Sequence, residues 1–160
     1  MNNENLVYSH AAYFNILKTR GMQGLQKNMP LWKFKLSEEE YEALKQTLRC
    51  HTSDLARYGE EAALCYAEWW RRDYRGTIPS KEDVAMGIGL HRRLGDDLYM
   101  AARKALQKHG YAFLHSLKGT EYFRTLLNQG GLPVNYIKNS GNIGYFSKFL
   151  KELVSELSSI

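Results

Sequence analysis

The sequence has few of the cysteine residues on which disulfide-stapled small folds depend. Two of its 160 residues are cysteines, Cys50 and Cys65, which are too few to make a disulfide framework. Both fall in segments that the pattern predicts to be helical, where a free thiol usually acts as a small buried hydrophobic group. The fold is therefore expected to rest on its hydrophobic core alone.

Long apolar runs and targeting segments are also missing. No apolar run approaches the roughly 18 residues that a membrane-spanning helix requires. The polar residues 1–5 are expected to be disordered, and they do not begin a basic segment followed by an apolar one, as a secretory signal would. These absences predict a soluble protein located in the cytoplasm.

The residue sets that mark metal and catalytic sites are absent as well. There is no HExxH motif and no paired CxxC motif, and the adjacent Cys50 and His51 would point about 100° apart on a helix. The glycine pairs near residues 87–89 and 141–144 lack the strand and lysine of a phosphate-binding loop. The acidic pair Glu60 and Glu61 is expected on a solvated face. No metal, no cofactor and no enzymatic activity are therefore expected, although a cysteine and a histidine could still meet in space.

What the chain does contain is an ordinary globular composition with a mild positive charge. Hydrophobic residues make up 44% and charged residues 24%, and the 22 Lys and Arg exceed the 17 Asp and Glu by a net charge of +5. The length fits about one domain. A charge of this size favours anionic partners only weakly, so nucleic-acid binding stays open.

Helical patterns dominate the chain. Ser37 and Glu40 form a capping box before a helix predicted over residues 38–50, and Ser80 with Asp83 opens a second one. Pro30 to Leu36 alternates apolar and charged residues, which predicts a short extended segment with Trp32, Phe34 and Leu36 on one side. The further helices are predicted over residues 9–20, 58–75, 81–87, 91–109, 120–128 and 142–157. We expect an all-α fold, an irregular bundle of about six or seven helices in a single domain over residues 1–160.

The helix predicted over residues 58–75, with Gly76 as its stop, is the most informative segment. Trp69 and Trp70 are adjacent there, and three arginines follow within the next turn or so. Three interpretations remain open: a core corner in which Trp69 packs with Tyr66 and arginine stems cover the second ring, a protein-binding surface, or a nucleic-acid-binding surface that stacks bases and grips phosphates. The candidate interaction surface consists of Trp70, Arg71, Arg72, Arg75, Arg92 and Arg93.

Two stretches resemble one known family. The segments ALCYAEWWRRDYRG (residues 63–76) and LLNQGGLPV (residues 126–134) are similar to two motifs near the N-terminus of the YjiT-type family of large bacterial proteins. The resemblance extends over roughly residues 30–157 and implies that the chain is the N-terminal module of a much longer protein. Members occur in mobile defence islands and include a component of type III Druantia anti-phage systems, which works beside a large helicase-like partner. The resemblance carries over no catalytic residues.

Two functions are expected from these observations. The first is a non-catalytic interaction module of a bacterial defence protein. It would dock protein partners or other parts of its own chain through the helix predicted over residues 58–75, which carries the tryptophans and arginines. The alternative is a helical module that binds DNA or RNA through a basic face rich in Trp and Arg, with an affinity that falls steeply with salt.

Overall fold

The computed structural model describes residues 10–27, 29–76, 79–111 and 121–133, and within them the chain is all-α. The α-helices are α1 (Ala11–Thr19), α2 (Glu38–Arg49), α3 (Gly59–Asp73), α4 (Lys81–Ile88), α5 (Gly95–Lys108) and α6 (Glu121–Asn128). Short 3-10 turns at Leu31–Phe34, Leu55–Tyr58 and Arg92–Leu94 connect them. The predicted helical bundle is confirmed for this part of the chain. The expected disorder of residues 1–5 and the expected helix over residues 142–157 lie outside it.

Helix α3 is the centre of the bundle. It packs against α2, α4, α5 and α6, most extensively against α5, and ten of its 15 residues are buried. The buried residues lie on more than one face, because the small residues Ala62, Ala63 and Ala67 let neighbouring helices approach on several sides, as expected of a helix in the interior of a bundle.

Local capping residues set two helix boundaries as predicted. The Ser37 hydroxyl accepts a hydrogen bond from the Glu40 backbone N–H, and the Glu40 carboxylate accepts one from the Ser37 N–H. Ser80 and Asp83 form the same reciprocal pair at the start of α4. These contacts satisfy N–H groups that have no partner within the helix. Cys50 lies just after α2 and is exposed, so its predicted burial was wrong, whereas Cys65 is fully buried.

The extended segment predicted from Pro30 to Leu36 is instead a 3-10 turn, Leu31–Phe34. Leu31 and Phe34 are both buried, because residues three apart lie on the same side of a 3-10 helix. Trp32, which was predicted to lie on the same side as Phe34 and Leu36, has 40% of its surface exposed, whereas Phe34 and Leu36 are buried. Its backbone N–H donates to the carbonyl of Gln129, and the Leu31 N–H donates to the Gln129 side chain. The turn is thus held by the end of α6.

Helix α3 ends two residues before the position predicted from Gly76. Tyr74 has extended backbone angles and closes the helix, and its ring lies 4.2 Å from the Trp70 ring and 6.3 Å from the Trp69 ring. Gly76 adopts a positive φ of 89°, but it lies beyond the helix end. Aromatic packing of Tyr74 therefore ends the helix before the glycine is reached.

Candidate interaction surface

The C-terminal half of α3 places its two tryptophans in different environments. Trp69 is 7% exposed and Tyr66 is fully buried, so of the three interpretations left open the core corner describes this pair. A Cβ on Gly87 would overlap the Trp69 indole, so the glycine permits α4 to lie directly against that ring. Trp69 is consequently a core residue and does not belong to any binding surface.

Trp70 lies at the edge of the core, where its ring is already engaged. Its ring is partly buried against the core and packs on Tyr74. The indole Nε1–H donates a hydrogen bond of 2.9 Å to the carbonyl oxygen of Gly131. A tryptophan held on both its face and its polar edge contributes mainly to the fold, and only its remaining edge is available to a partner.

Arg71 and Arg72 share one buried carboxylate. Arg71 Nη2 and Arg72 Nε each donate to Glu68 Oε2 at 2.6 Å, and the Glu68 side chain is only 2% exposed. Arg72 also donates to the Leu36 carbonyl oxygen. These ion pairs have a structural role, because both guanidinium groups neutralise a charge that burial would otherwise make costly.

The remaining candidate residues, Arg75, Arg92 and Arg93, are exposed. No carboxylate of the described residues forms an ion pair with them. Arg92 and Arg93 lie on a 3-10 turn that packs mainly against α4 and α5. They therefore extend from a different part of the bundle than the end of α3. Of the six candidate residues, Trp70, Arg71 and Arg72 are engaged in contacts within the fold, and the other three are exposed.

An open groove, which no sequence pattern predicted, lies beside Trp32. We call it the Trp32 groove; it has a volume of about 720 Å³ and is lined by Trp32, Lys35, Leu36, Arg71, Gly130, Gly131 and Leu132. Among the described residues, the lining includes two cationic side chains and no carboxylate. Arg71 is the one member of the predicted surface that contributes to it. Nothing local in the sequence marks Trp32 as exposed, because its position depends on Gln129.

A larger groove of about 970 Å³ lies between α2 and the end of α3. Glu38, Glu39 and Glu42 line one side, while Arg71 and Arg72 line the other. Opposite charges face each other across it, and Tyr41 donates a hydrogen bond from its hydroxyl to Asp73 at 3.0 Å. The charges of this groove largely compensate one another, so it offers less net attraction to a charged partner than the Trp32 groove does.

Two of the histidines pair with the acidic residues that were expected on a solvated face. Glu61 is 1% exposed, and its carboxylate accepts a hydrogen bond of 2.6 Å from His10 Nδ1. Glu60 accepts one from His109 Nε2. The prediction of solvation was therefore wrong for Glu61, because His10, 51 residues away in sequence, supplies the partner that burial requires.

Comparison with known proteins identifies the family. A family model described as the YjiT N-terminal domain matches residues 4–132, which is more than half of the chain. The chain belongs to this family. The match begins earlier than the expected residue 30 and ends earlier than residue 157. No curated protein and no solved structure matches the chain at a significant level.

The two stretches that carried the family resemblance pack directly against each other in this YjiT N-terminal domain. Besides the hydrogen bond from Trp70 to Gly131, the backbone at Gly130 lies so close to α3 that a Cβ there would overlap the Ala67 carbonyl oxygen. The motifs therefore form one packing unit that fixes α6 on α3. Among the described residues, no helix is long and apolar enough to cross a membrane.

Proposed function

We propose that this domain is a non-catalytic interaction module that docks a protein segment in the Trp32 groove. The observation that carries the proposal is the exposed indole of Trp32 in a groove whose described lining residues include two cations and no carboxylate. Tryptophan and arginine are the residues most enriched among those that dominate protein interfaces. The proposed site is therefore not the exposed side of α3, as expected from the sequence, but the neighbouring Trp32 groove. Arg71 belongs to both.

The chemistry of the groove favours an occupant that combines an apolar and an acidic side chain. Trp32, Leu36 and Leu132 provide apolar contact area, while Lys35 and Arg71 provide positive charge. Arg71 gives one terminal nitrogen to Glu68, and a guanidinium group carries five N–H donors in total. An acidic side chain of the partner can therefore bind Arg71 without breaking the pair with Glu68.

The setting of the module follows from the family resemblance. We propose that the domain acts in bacterial phage defence. The partner that docks in the groove is then a large helicase-like protein or the remainder of a longer chain. Rigid docking suits this setting, because the groove is built from a 3-10 turn and an α6 end that hydrogen bonds hold together.

Binding of DNA or RNA is the second candidate function. Arg75, Arg92 and Arg93 are exposed cations and supply the observation in its favour. Against it, Trp70 is engaged with Gly131, and Arg72 is held by both Glu68 and the Leu36 carbonyl oxygen. A phosphate-binding role would rest on the three exposed arginines, which are too few for a long basic track.

The experiment that tests the proposal is a selection of binders from a random peptide display library on the immobilised domain. Enriched peptides are expected to carry an apolar residue close to Asp or Glu, and their affinity is measured by fluorescence anisotropy. Trp32→Ala should weaken binding at least about 10-fold, as truncating a central interface tryptophan commonly does. Met86→Ala is the matched control, since Met86 is also an exposed apolar residue, 52% exposed, on α4.

Two results would contradict docking in the Trp32 groove. The first is a selection in which acidic peptides are not enriched or in which Trp32→Ala binds like the wild type. The second is saturable binding of labelled DNA at low salt that Arg92→Ala/Arg93→Ala removes while no peptide binds, which would favour the nucleic-acid function.

A further inference from the structure

The last described residues of the chain lie at the Trp32 groove itself. Leu132 is part of the groove lining, and Pro133, which follows it, is buried. The sequence continues with residues 134–160, so these residues start beside the groove. A short connection gives the two an effective concentration in the millimolar range. A segment of residues 134–160 can therefore occupy the groove even if its affinity is too weak to bind as a separate peptide.

The path of the chain along Trp32 fixes where residues 134–160 start. The Trp32 backbone N–H donates to the Gln129 carbonyl oxygen. Two residues later, a Cβ on Gly131 would lie 3.4 Å from the Trp32 ring, so the backbone of residue 131 passes close to the indole. The chain thus runs past the exposed tryptophan immediately before residue 134.

The helix predicted over residues 142–157 carries an apolar stripe that suits the groove. This helix lies outside the described residues and remains a prediction from the sequence. Leu150, Leu153 and Leu157 are spaced three and four residues apart, so they share one side of such a helix. We call the eight residues 150–157 the leucine segment. Its leucines match the apolar contact area that the groove offers at Trp32.

The charges around the leucine stripe complement those of the groove. At 3.6 residues per turn, Glu156 lies about 60° from Leu153 around the helix, whereas Lys148 and Lys151 lie on the side opposite the leucines. An acid and not a cation therefore borders the stripe. The described lining of the groove carries two cations, Lys35 and Arg71, and no carboxylate.

The connecting residues are long enough for the leucine segment to return to the groove. Residues 134–141 span up to about 26 Å when fully extended. In the predicted helix, position 153 lies about 16 Å along the axis from position 142. Because the connection exceeds that distance, the helix can reverse direction and bring residues 150–157 back to the point from which the chain leaves the described domain.

We propose that the leucine segment of the same chain occupies the Trp32 groove and competes there with the partner. This occupancy rests on the proposed docking function of the groove and regulates it. Leu153 and Leu157 cover the exposed indole of Trp32, and the Glu156 carboxylate accepts hydrogen bonds from Lys35 or Arg71. A partner segment of the same chemistry must displace the leucine segment before it can dock.

The first measurement follows the indole N–H signals of the 160-residue chain by NMR without any peptide. Leu153→Ala/Leu157→Ala keeps residues that favour a helix but uncovers the indole, so the Trp32 signal should shift. The signal of the buried Trp69 should stay in place, which shows that the core is intact. Glu156→Gln removes only a charge and should move the Trp32 signal in the same direction by a smaller amount.

The second measurement is the affinity of an acidic peptide selected on the domain, determined by fluorescence anisotropy. Leu153→Ala/Leu157→Ala should bind this peptide about 3- to 10-fold more tightly than the wild type, because apparent affinity is reduced by the fraction of molecules whose groove is already occupied. Lys148→Ala/Lys151→Ala is the matched control on the opposite side of the same predicted helix. It should leave both the Trp32 signal and the peptide affinity unchanged.

Three outcomes would overturn occupancy by the leucine segment. The first is a Trp32 signal that is identical in the wild type, Leu153→Ala/Leu157→Ala and Glu156→Gln. The second is a leucine variant in which the Trp69 signal moves as well while Glu156→Gln changes nothing, which would place the leucines in the core. The third is a wild-type Trp32 signal that moves on dilution toward its position in the leucine variant, because the occupant would then come from a second copy of the chain.

The same measurements separate this proposal from the proposed docking function. Peptide binding that depends on Trp32 and is equally tight in the wild type and Leu153→Ala/Leu157→Ala leaves docking intact and contradicts occupancy by the leucine segment. A Trp32 signal that shifts in the leucine variant, while no selected peptide binds either protein, supports the occupancy and contradicts docking of a separate partner.

Discussion

The indole N–H of Trp70 donates a hydrogen bond to the carbonyl oxygen of Gly131, 61 residues later in the chain. This contact joins the two segments on which the family resemblance was based, and it places them at the junction of α3 and α6. The same glycine segment lines the Trp32 groove. The packing of these two segments thus also forms one wall of the proposed docking site.

Removing the Trp70 side chain is expected to destabilise the domain. Trp70→Ala should lower the free energy of unfolding by about 2–4 kcal/mol, somewhat below the usual cost for a fully buried tryptophan because Trp70 is only partly buried. Trp70→Phe retains most of the packing and should cost about 1 kcal/mol for the lost hydrogen bond. Urea unfolding followed by circular dichroism measures both. Equal stability of wild type and Trp70→Ala would show that the contact does not support the fold.

Gly130→Ala is expected to disturb the contact between α6 and α3. The added methyl group would overlap the Ala67 carbonyl oxygen, and such overpacking costs about 1–3 kcal/mol. Gly24→Ala is the matched control, because a Cβ on Gly24 meets no atom within 4 Å. That variant should be neutral or slightly stabilising. The comparison uses thermal midpoints of the two variants, and a Gly130→Ala midpoint at or above that of Gly24→Ala would contradict the close approach.

Glu68→Gln is expected to weaken the end of α3. The substitution leaves Arg71 and Arg72 without the buried charge that they share. Breaking a buried pair commonly costs 3–5 kcal/mol, but both arginines are about a quarter exposed, which reduces the expected loss to about 2 kcal/mol. Glu42→Gln is the control on an exposed carboxylate that pairs with Lys45 and Arg49, and no measurable change is expected there. Urea midpoints that fall equally in the two variants would count against a special role for Glu68.

Stability should decrease in acid partly through Glu40. Hydrogen bonds from Arg20 hold the pKa of the Glu40 carboxyl below its ordinary value. A lowered folded-state pKa stabilises the fold above the unfolded pKa of about 4.3, and the contribution is lost as pH falls through the folded value. Arg20→Gln should therefore lose stability at neutral pH and show a shallower decline in acid. Lys104→Gln is the control, because Lys104 forms no ion pair with a carboxylate of the described part of the chain. If stability of Arg20→Gln declines in acid as steeply as that of Lys104→Gln, this assignment is contradicted.

The features of the fold that could be predicted from the sequence are those that depend on residues close together in the chain. The capping boxes at Ser37 and Ser80 and the inward direction of Tyr66 and Trp69 depend on residues within a turn or two. The burial of Glu61 and the exposure of Trp32 depend instead on His10 and Gln129, which are distant in sequence. A local pattern assigns an acidic residue to the surface and a tryptophan to the core, so it could not find either site.

The most direct test of docking in the Trp32 groove is an NMR titration that follows the indole N–H signals of the three tryptophans. Trp32, Trp69 and Trp70 each give one signal, and Trp32→Phe assigns the first by its disappearance. A selected acidic peptide should shift the Trp32 signal most, move the Trp70 signal slightly through Gly131, and leave the buried Trp69 signal unchanged. A Trp32 signal that stays in place while the peptide saturates the domain would contradict docking in this groove.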